Sequence, residues 1–304
     1  MVARSRKYVG FVPNSQELVM KNLVRISAFA ILWRAGAAAL GLFLAVPAAA
    51  QQELPVANPL TYVDLVELGM VSDVVLRAEI DDQATVPAER APGLPPQKAR
   101  LYLESVTQAL LAGAGPIGES LAFLVDVDRD ARGKAPKLKK QIFLLFARRV
   151  ANRPGEIQLV SPKAMQPVDP MLEQRVRQVM TQLAEPDRPP LVTGVREVMS
   201  VAGNLVGESE TQIFLETGDG APVSLSILRR PGMAPQWGAS WTDIVDQSAS
   251  PPAPDTLRWY ALACHLPAEL PENVFLQRAR DARARAREDY AIVRNEIGAC
   301  RRSN

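Results

Sequence analysis

The chain is predicted to fold as an α+β protein, mainly antiparallel β, with small barrel or sandwich-like β units and a C-terminal helical segment. Three observations predict it. About five short runs rich in β-branched and aromatic residues lie between residues 74 and 160, closely spaced and punctuated by turns. A second such block starts at Leu191. From Phe275 to Cys300 the apolar residues step by three and four, a single stripe of helical period.

In chain order, residues 1–50 are expected to be an address and not part of the fold. Met20 opens a complete secretory signal by itself, which makes residues 1–19 a mis-assigned start. Lys21 and Arg25 form its positive front, Ala35 to Val46 its uncharged apolar run, and Ala48 to Ala50 an A-x-A cleavage site. The competing reading is an uncleaved anchor, which needs about 20 apolar residues. Arg34 interrupts the run, favouring cleavage after Ala50 and a periplasmic or secreted protein with no transmembrane span. Of 35 basic and 33 acidic side chains, 29 and 32 lie beyond residue 50, so the exported part is nearly neutral. That balance gives no nucleic acid a reason to bind.

Residues 51–160 read as a β-rich domain. Thr61 and Asp64 have capping-box spacing for a short helix reaching about Met70. Val74 to Ile80 alternates as a strand. The four prolines between Pro87 and Gln97 make an exposed loop. In Arg100 to Val106, Leu101, Leu103 and Ser105 share one face, with Tyr102, Glu104 and Val106 on the other. Ser120 to Val127 and Gln141 to Ala147 are the strongest strands; the polar stretch between them reads as a solvated hairpin. Glu156 to Val160 adds a short strand.

Residues 161–190 read as a Pro-flanked linker with a helix over 170–184, capped by Asp169 with Pro170 at its first position. In the second β-rich unit, 191–250, the segments 212–217 and 222–228 flank a Gly218-Asp219-Gly220 hairpin turn. Gly-Glu-Ser precedes a strand at 118–120 and again at 207–209, a candidate duplication that chance also explains. Trp237 and Trp241, four apart, fit a core anchor better than an aromatic groove.

The C-terminal helical segment spans 255–304, with Asp255 as cap of its first helix. Its only cysteines, Cys264 and Cys300, favour a disulfide in an oxidising compartment over two free thiols. A helix unbroken from Glu272 would be about 40 Å long, whereas the seven residues after Cys264 reach at most about 24 Å. Since a disulfide needs Cα atoms within about 7 Å, pairing requires the helix to start late, near Asp281.

Few side chains invite catalysis. The exported part has one histidine, His265, and shows no G-x-S-x-G, S-x-x-K, C-x-x-C, H-E-x-x-H or phosphate-loop pattern, so neither a catalytic residue nor a cofactor is expected. Asp126, Asp128 and Asp130 are the only metal candidates. Ala131 and Lys137 occupy the places where a calcium loop needs glycine and glutamate, which favours a loop whose acids pair with the nearby lysines. Arg278, Arg280, Arg283, Arg287 and Arg294 oppose the helical stripe as a candidate polyanion contact. The expected function is therefore a non-enzymatic binding or assembly module of the bacterial periplasm or envelope, meeting an envelope component or a protein. The alternatives are a secreted hydrolase using carboxylates such as Asp126 and Asp128, or a polyanion-binding or membrane-surface protein acting through its arginine-rich helix.

Overall fold

The computed structural model describes residues 59–246 and 248–303. The signal and its cleavage site lie outside them. Within them the architecture is α+β with two antiparallel sheets.

Thr61 opens α1 (Tyr62–Met70) with both halves of the capping box in place. The first sheet contains β1 (Val74–Thr85), β2 (Lys98–Gly113), β3 (Ser120–Asp128), β4 (Ile142–Arg149), β5 (Ile157–Leu159) and β6 (Met165–Pro167). Its path is β3-β2-β1-β4-β5, with β6 also on β4. A parallel bridge between Ala122 and Glu156 brings β3 to the β5 end of the path, with Ala122 N donating to Gly155 O at 2.8 Å. The sheet thus closes as β1-β2-β3-β5-β4-β1, a small five-stranded barrel. A fold of this kind does not by itself imply a function.

Alternation decides what fills the barrel. Leu76, Ala78 and Ile80 of β1, Leu101 and Leu103 of β2, Leu121 and Phe123 of β3, and Phe143 and Leu145 of β4 form its interior. Strand β4 is buried on both faces. Its Leu144 and Phe146 point outward, under α1 and under α2 (Pro170–Ala184), which Asp169 caps with Pro170 inside the first turn. A strand covered on both sides reads as a continuous apolar run, as Ile142 to Ala147 does.

Strands β7 (Val192–Ala202), β8 (Ser209–Thr217), β9 (Val223–Arg229) and β10 (Gln236–Ser240) form a second sheet, a meander in the order β10-β9-β8-β7. The Gly218-Asp219-Gly220 turn joins β8 to β9, with Leu215 opposite Val223. Helix α4 (Arg280–Ile297) lays Ala286, Tyr290, Val293 and Ile297 on this sheet. Helix α3 (Leu257–Ala263) joins the two halves: Leu257 and Tyr260 enter the core beneath α1 and α2, while Leu262 and Ala263 enter the core of the second sheet.

Several sequence expectations are corrected. Residues 129–141 are not a hairpin, because β3 pairs with β2 while β4 pairs with β1, and the connection crosses between them. Thr256, not Asp255, caps α3: its hydroxyl accepts from Trp259 N at 3.2 Å, whereas Asp255 sits at φ +57°. Helix α4 starts late, as the disulfide requires, but at Arg280 with no side-chain cap; Asp281 instead places its carboxylate in the first turn, where the helix dipole favours it. The Gly-Glu-Ser segments introduce different topologies, a barrel strand in one case and a meander strand in the other.

Candidate functional site

Strands β7 and β9 end, and β8 and β10 begin, at one end of the second sheet. Residues 203–208 make the first turn there. Gly203 N donates to Glu208 O at 2.8 Å, Glu208 N to Leu205 O at 3.0 Å, and Leu205 N to the Glu208 carboxylate at 3.2 Å. Gly207 lies at φ +84°, where a side chain would be strained. Three internal hydrogen bonds therefore hold the turn in shape, with Leu205 62% and Val206 99% exposed. The second turn, residues 230–235, presents Met233 at 54% exposure.

A buried polar cluster anchors this end. Asp289 of α4, 0% exposed, accepts from the Thr211 hydroxyl and from Arg229 Nε, the latter at 2.5 Å. Thr211 Oγ1 lies 2.8 Å from Ser200 Oγ, which accepts from Arg285 Nε at 3.0 Å. Three strands and the helix are thus tied through side chains of β7, β8, β9 and α4. A fully buried carboxylate costs several kcal/mol unless it is paired and hydrogen-bonded, and removing one partner exposes that cost. The cluster therefore fixes how α4 sits on the sheet. Between α4 and the first turn lies a cleft of about 660 Å³ lined by Ser209, Arg229, Asp281, Arg285 and Glu288. Ser209 Oγ is buried there without a partner among the described residues.

The five arginines predicted as a polyanion contact do not share one surface. Arg283 Nη1 lies 3.4 Å from the Glu272 carboxylate, which Arg287 also meets, and both guanidinium groups cover the Phe275 ring, at 5.2 and 4.7 Å. That cluster ties residues 272–275 to α4. Arg294 is half-buried, with Nη1 unpartnered among the described residues. Only Arg278 and Arg280 stand exposed without an ion-pair partner among them, beside the open end of the sheet.

Nor do the three aspartates converge. Arg100 takes Asp126 in a two-pronged pair at 2.7 and 2.8 Å and holds its carboxyl below the usual carboxylate range. Lys98 lies 3.2 Å from Asp128, and Asp130 accepts from the amides of Arg132 and Lys134. The expected lysine partners lie elsewhere: Lys139 and Lys140 meet Asp82 and Asp81 of β1, because β1 and not β3 is the neighbour of β4. No group of three metal-ligating side chains occurs among the described residues. Tyr102 and Leu124 are exposed cross-strand neighbours on the outer β2–β3 face, flanked by the Arg100–Asp126 pair.

Cys264 and Cys300 form the expected disulfide, with Cα atoms 4.9 Å apart. Trp237 is a core anchor whose Nε1 donates to Glu296 at 2.7 Å. Trp241 lines a separate cleft against residues 248–258, with Arg258 at 5.8 Å over its ring. His265 packs edge-on against Tyr260 at 5.2 Å.

Sequence reasoning missed the open end. One signal was present: Asp289 falls three residues after Ala286 and four before Val293, a charge within the apolar stripe. The other was Leu205-Val206, two apolar residues between Gly203 and Gly207. Comparisons with models of known protein families and with characterised proteins return no match.

Proposed function

We propose that this protein is a non-enzymatic binding or assembly module of the bacterial periplasm or envelope, and that it binds through the open end of its second sheet. One observation carries the reading: a turn held by its own hydrogen bonds presents Leu205 and Val206 to solvent from a sheet end anchored by a buried charge cluster. Covering such side chains is worth about 1.5–3 kcal/mol each when burial is complete. A turn already held in shape loses little freedom on binding, so more of that energy reaches the complex.

Export is supported by the Cys264–Cys300 disulfide, since such bonds persist in oxidising compartments. No helix among the described residues is long and apolar enough to cross a membrane. The hydrolase alternative is disfavoured by the ion pairs that Asp126 and Asp128 already make.

Two measurements test the reading. The intact mass of protein from the exported fraction should begin at Gln51, with thiols that label only after reduction; a mass retaining residues 35–46 and free thiols would refute export. A photo-crosslinking residue in place of Val206 should give adducts in cells that the same group in place of Leu124, on the barrel, does not. Equal labelling at both positions, or none at Val206, would refute binding through this end.

A further inference from the structure

We infer that the open end of the second sheet docks onto an anionic phospholipid bilayer, inserting its two turns between the headgroups. The inference rests on the binding reading above and names its partner. The two turns stand about two strand spacings apart, roughly 10 Å, and project the same way. Their tips carry Leu205, Val206 and Met233, and Val201 follows on the exposed part of β7. Around them lie Arg230, which opens the second turn, and Arg278 and Arg280 at the start of α4. All three are exposed and without ion-pair partners among the described residues. Gln277, next to Arg278, is held at this end by hydrogen bonds to the Ser200 backbone at 2.8 and 2.9 Å.

Shape separates a bilayer from a protein partner. A stable protein contact covers about 800 Å² per side of matching surface, and two narrow convex tips touch a rigid surface at points only. A fluid interface closes around each tip. Chemistry agrees: arginine grips phosphate oxygens in a two-pronged geometry, and peripheral binding grows with buried apolar area and with electrostatic attraction to anionic lipid. Glu208 is used inside its turn, Glu288 faces Arg229, and Glu210, opposite Val201, accepts from Gln212, which leaves Asp281 and Glu210 against three arginines without ion-pair partners among the described residues.

The test is co-sedimentation of the chain from Gln51 onward, whose described part contains all three cores. It uses vesicles of phosphatidylcholine alone and of phosphatidylcholine mixed with phosphatidylglycerol. The mixed vesicles should bind the protein, less so as salt rises, and phosphatidylcholine alone should bind it weakly. Val206→Asp should reduce binding about tenfold or more. Arg230→Ser, Arg278→Ser and Arg280→Ser should each reduce it about fivefold. Leu124→Asp on the barrel should change nothing. Because Val206 is fully exposed, its replacement leaves the fold intact, which retention of the disulfide verifies.

The inference is overturned if mixed vesicles bind no more than phosphatidylcholine alone, or if Val206→Asp binds like the parent. It is also overturned if the tip proves to be a contact between two copies, seen as a dimer that Val206→Asp dissociates. Should the vesicles fail while a Val206 crosslink to a protein persists, the lipid inference falls and the binding-module reading stands. Should the vesicles fail and Val206 crosslink to nothing, the wider reading falls too.

Discussion

At the residue scale, Asp64 and His265 show how burial acts with opposite outcomes. Burial pushes the Asp64 carboxyl up, but hydrogen bonds from the Thr61 hydroxyl, Ser303 and the Thr61 amide together outweigh it and hold the group below its ordinary value. His265 has no such compensation. Burial lowers its pKa, Arg302 lowers it further, and Glu67 only partly opposes them; its Nε2 is buried without a partner. The folded protein therefore keeps His265 neutral where the unfolded chain, titrating near 6.5, takes up a proton. Stability is unaffected above that pH and falls as pH drops below it. Asp64 loses its contribution in a separate window, below about pH 3.9. Urea midpoints of the parent should thus decline between neutral pH and about pH 5 more steeply than those of His265→Phe, which keeps an aromatic edge for Tyr260. Parallel declines would contradict the assignment. Residue roles of this kind were only half legible. Asp289 interrupts an apolar stripe in plain view, whereas its partners Thr211 and Arg229 lie 78 and 60 residues away.

At the element scale, the most legible features are those made by neighbours in sequence. The Thr61 capping box, the Asp169 cap with Pro170, and the alternation of Leu101, Leu103 and Ser105 all follow from contacts within four residues or from the pleat itself. Strand β6 was less legible, because Pro167 inside it masks a strand that pairs with β4 through only three residues. Gly238 of β10 shows where an element meets its cover. A Cβ there would stand 2.0 Å from Ala249 O, so Gly238→Ala forces the segment around Ala249 off the strand. The variant should lose about 1–3 kcal/mol in denaturant unfolding. Trp241 emission should shift to longer wavelength as its cleft opens. Unchanged stability and emission would show that this cover carries no load.

At the scale of the whole molecule, the chain end ties the barrel side to the second sheet. Beyond Cys300, Arg302 grips the Glu67 carboxylate at 2.5 to 3.0 Å, Ser303 N donates to Asp64 at 2.9 Å, and Lys163 reaches Ser303 Oγ at 3.0 Å. The disulfide, closing a separation of 36 residues, holds this tail against α3. Loop-closure entropy gives it a worth of about 4 kcal/mol. Cys264→Ser with Cys300→Ser should lose roughly that stability and speed amide exchange in α1; exchange confined to α4 would show that the tail does not clasp the barrel side. The sequence by itself determined the helices, the caps of α1 and α2, most strand segments, the α+β class and the cysteine pair, because each depends on short-range periodicity, turn chemistry or a span the chain can reach. Only the tertiary structure decided that β3 lies beside β2 and closes toward β5, that Arg100 and Lys98 neutralise the aspartates, and that Arg283 and Arg287 turn to Glu272. It alone set Leu205, Val206 and Met233 at one sheet end. Strand order is chosen by which faces bury together, and that choice brings into contact residues the sequence keeps far apart.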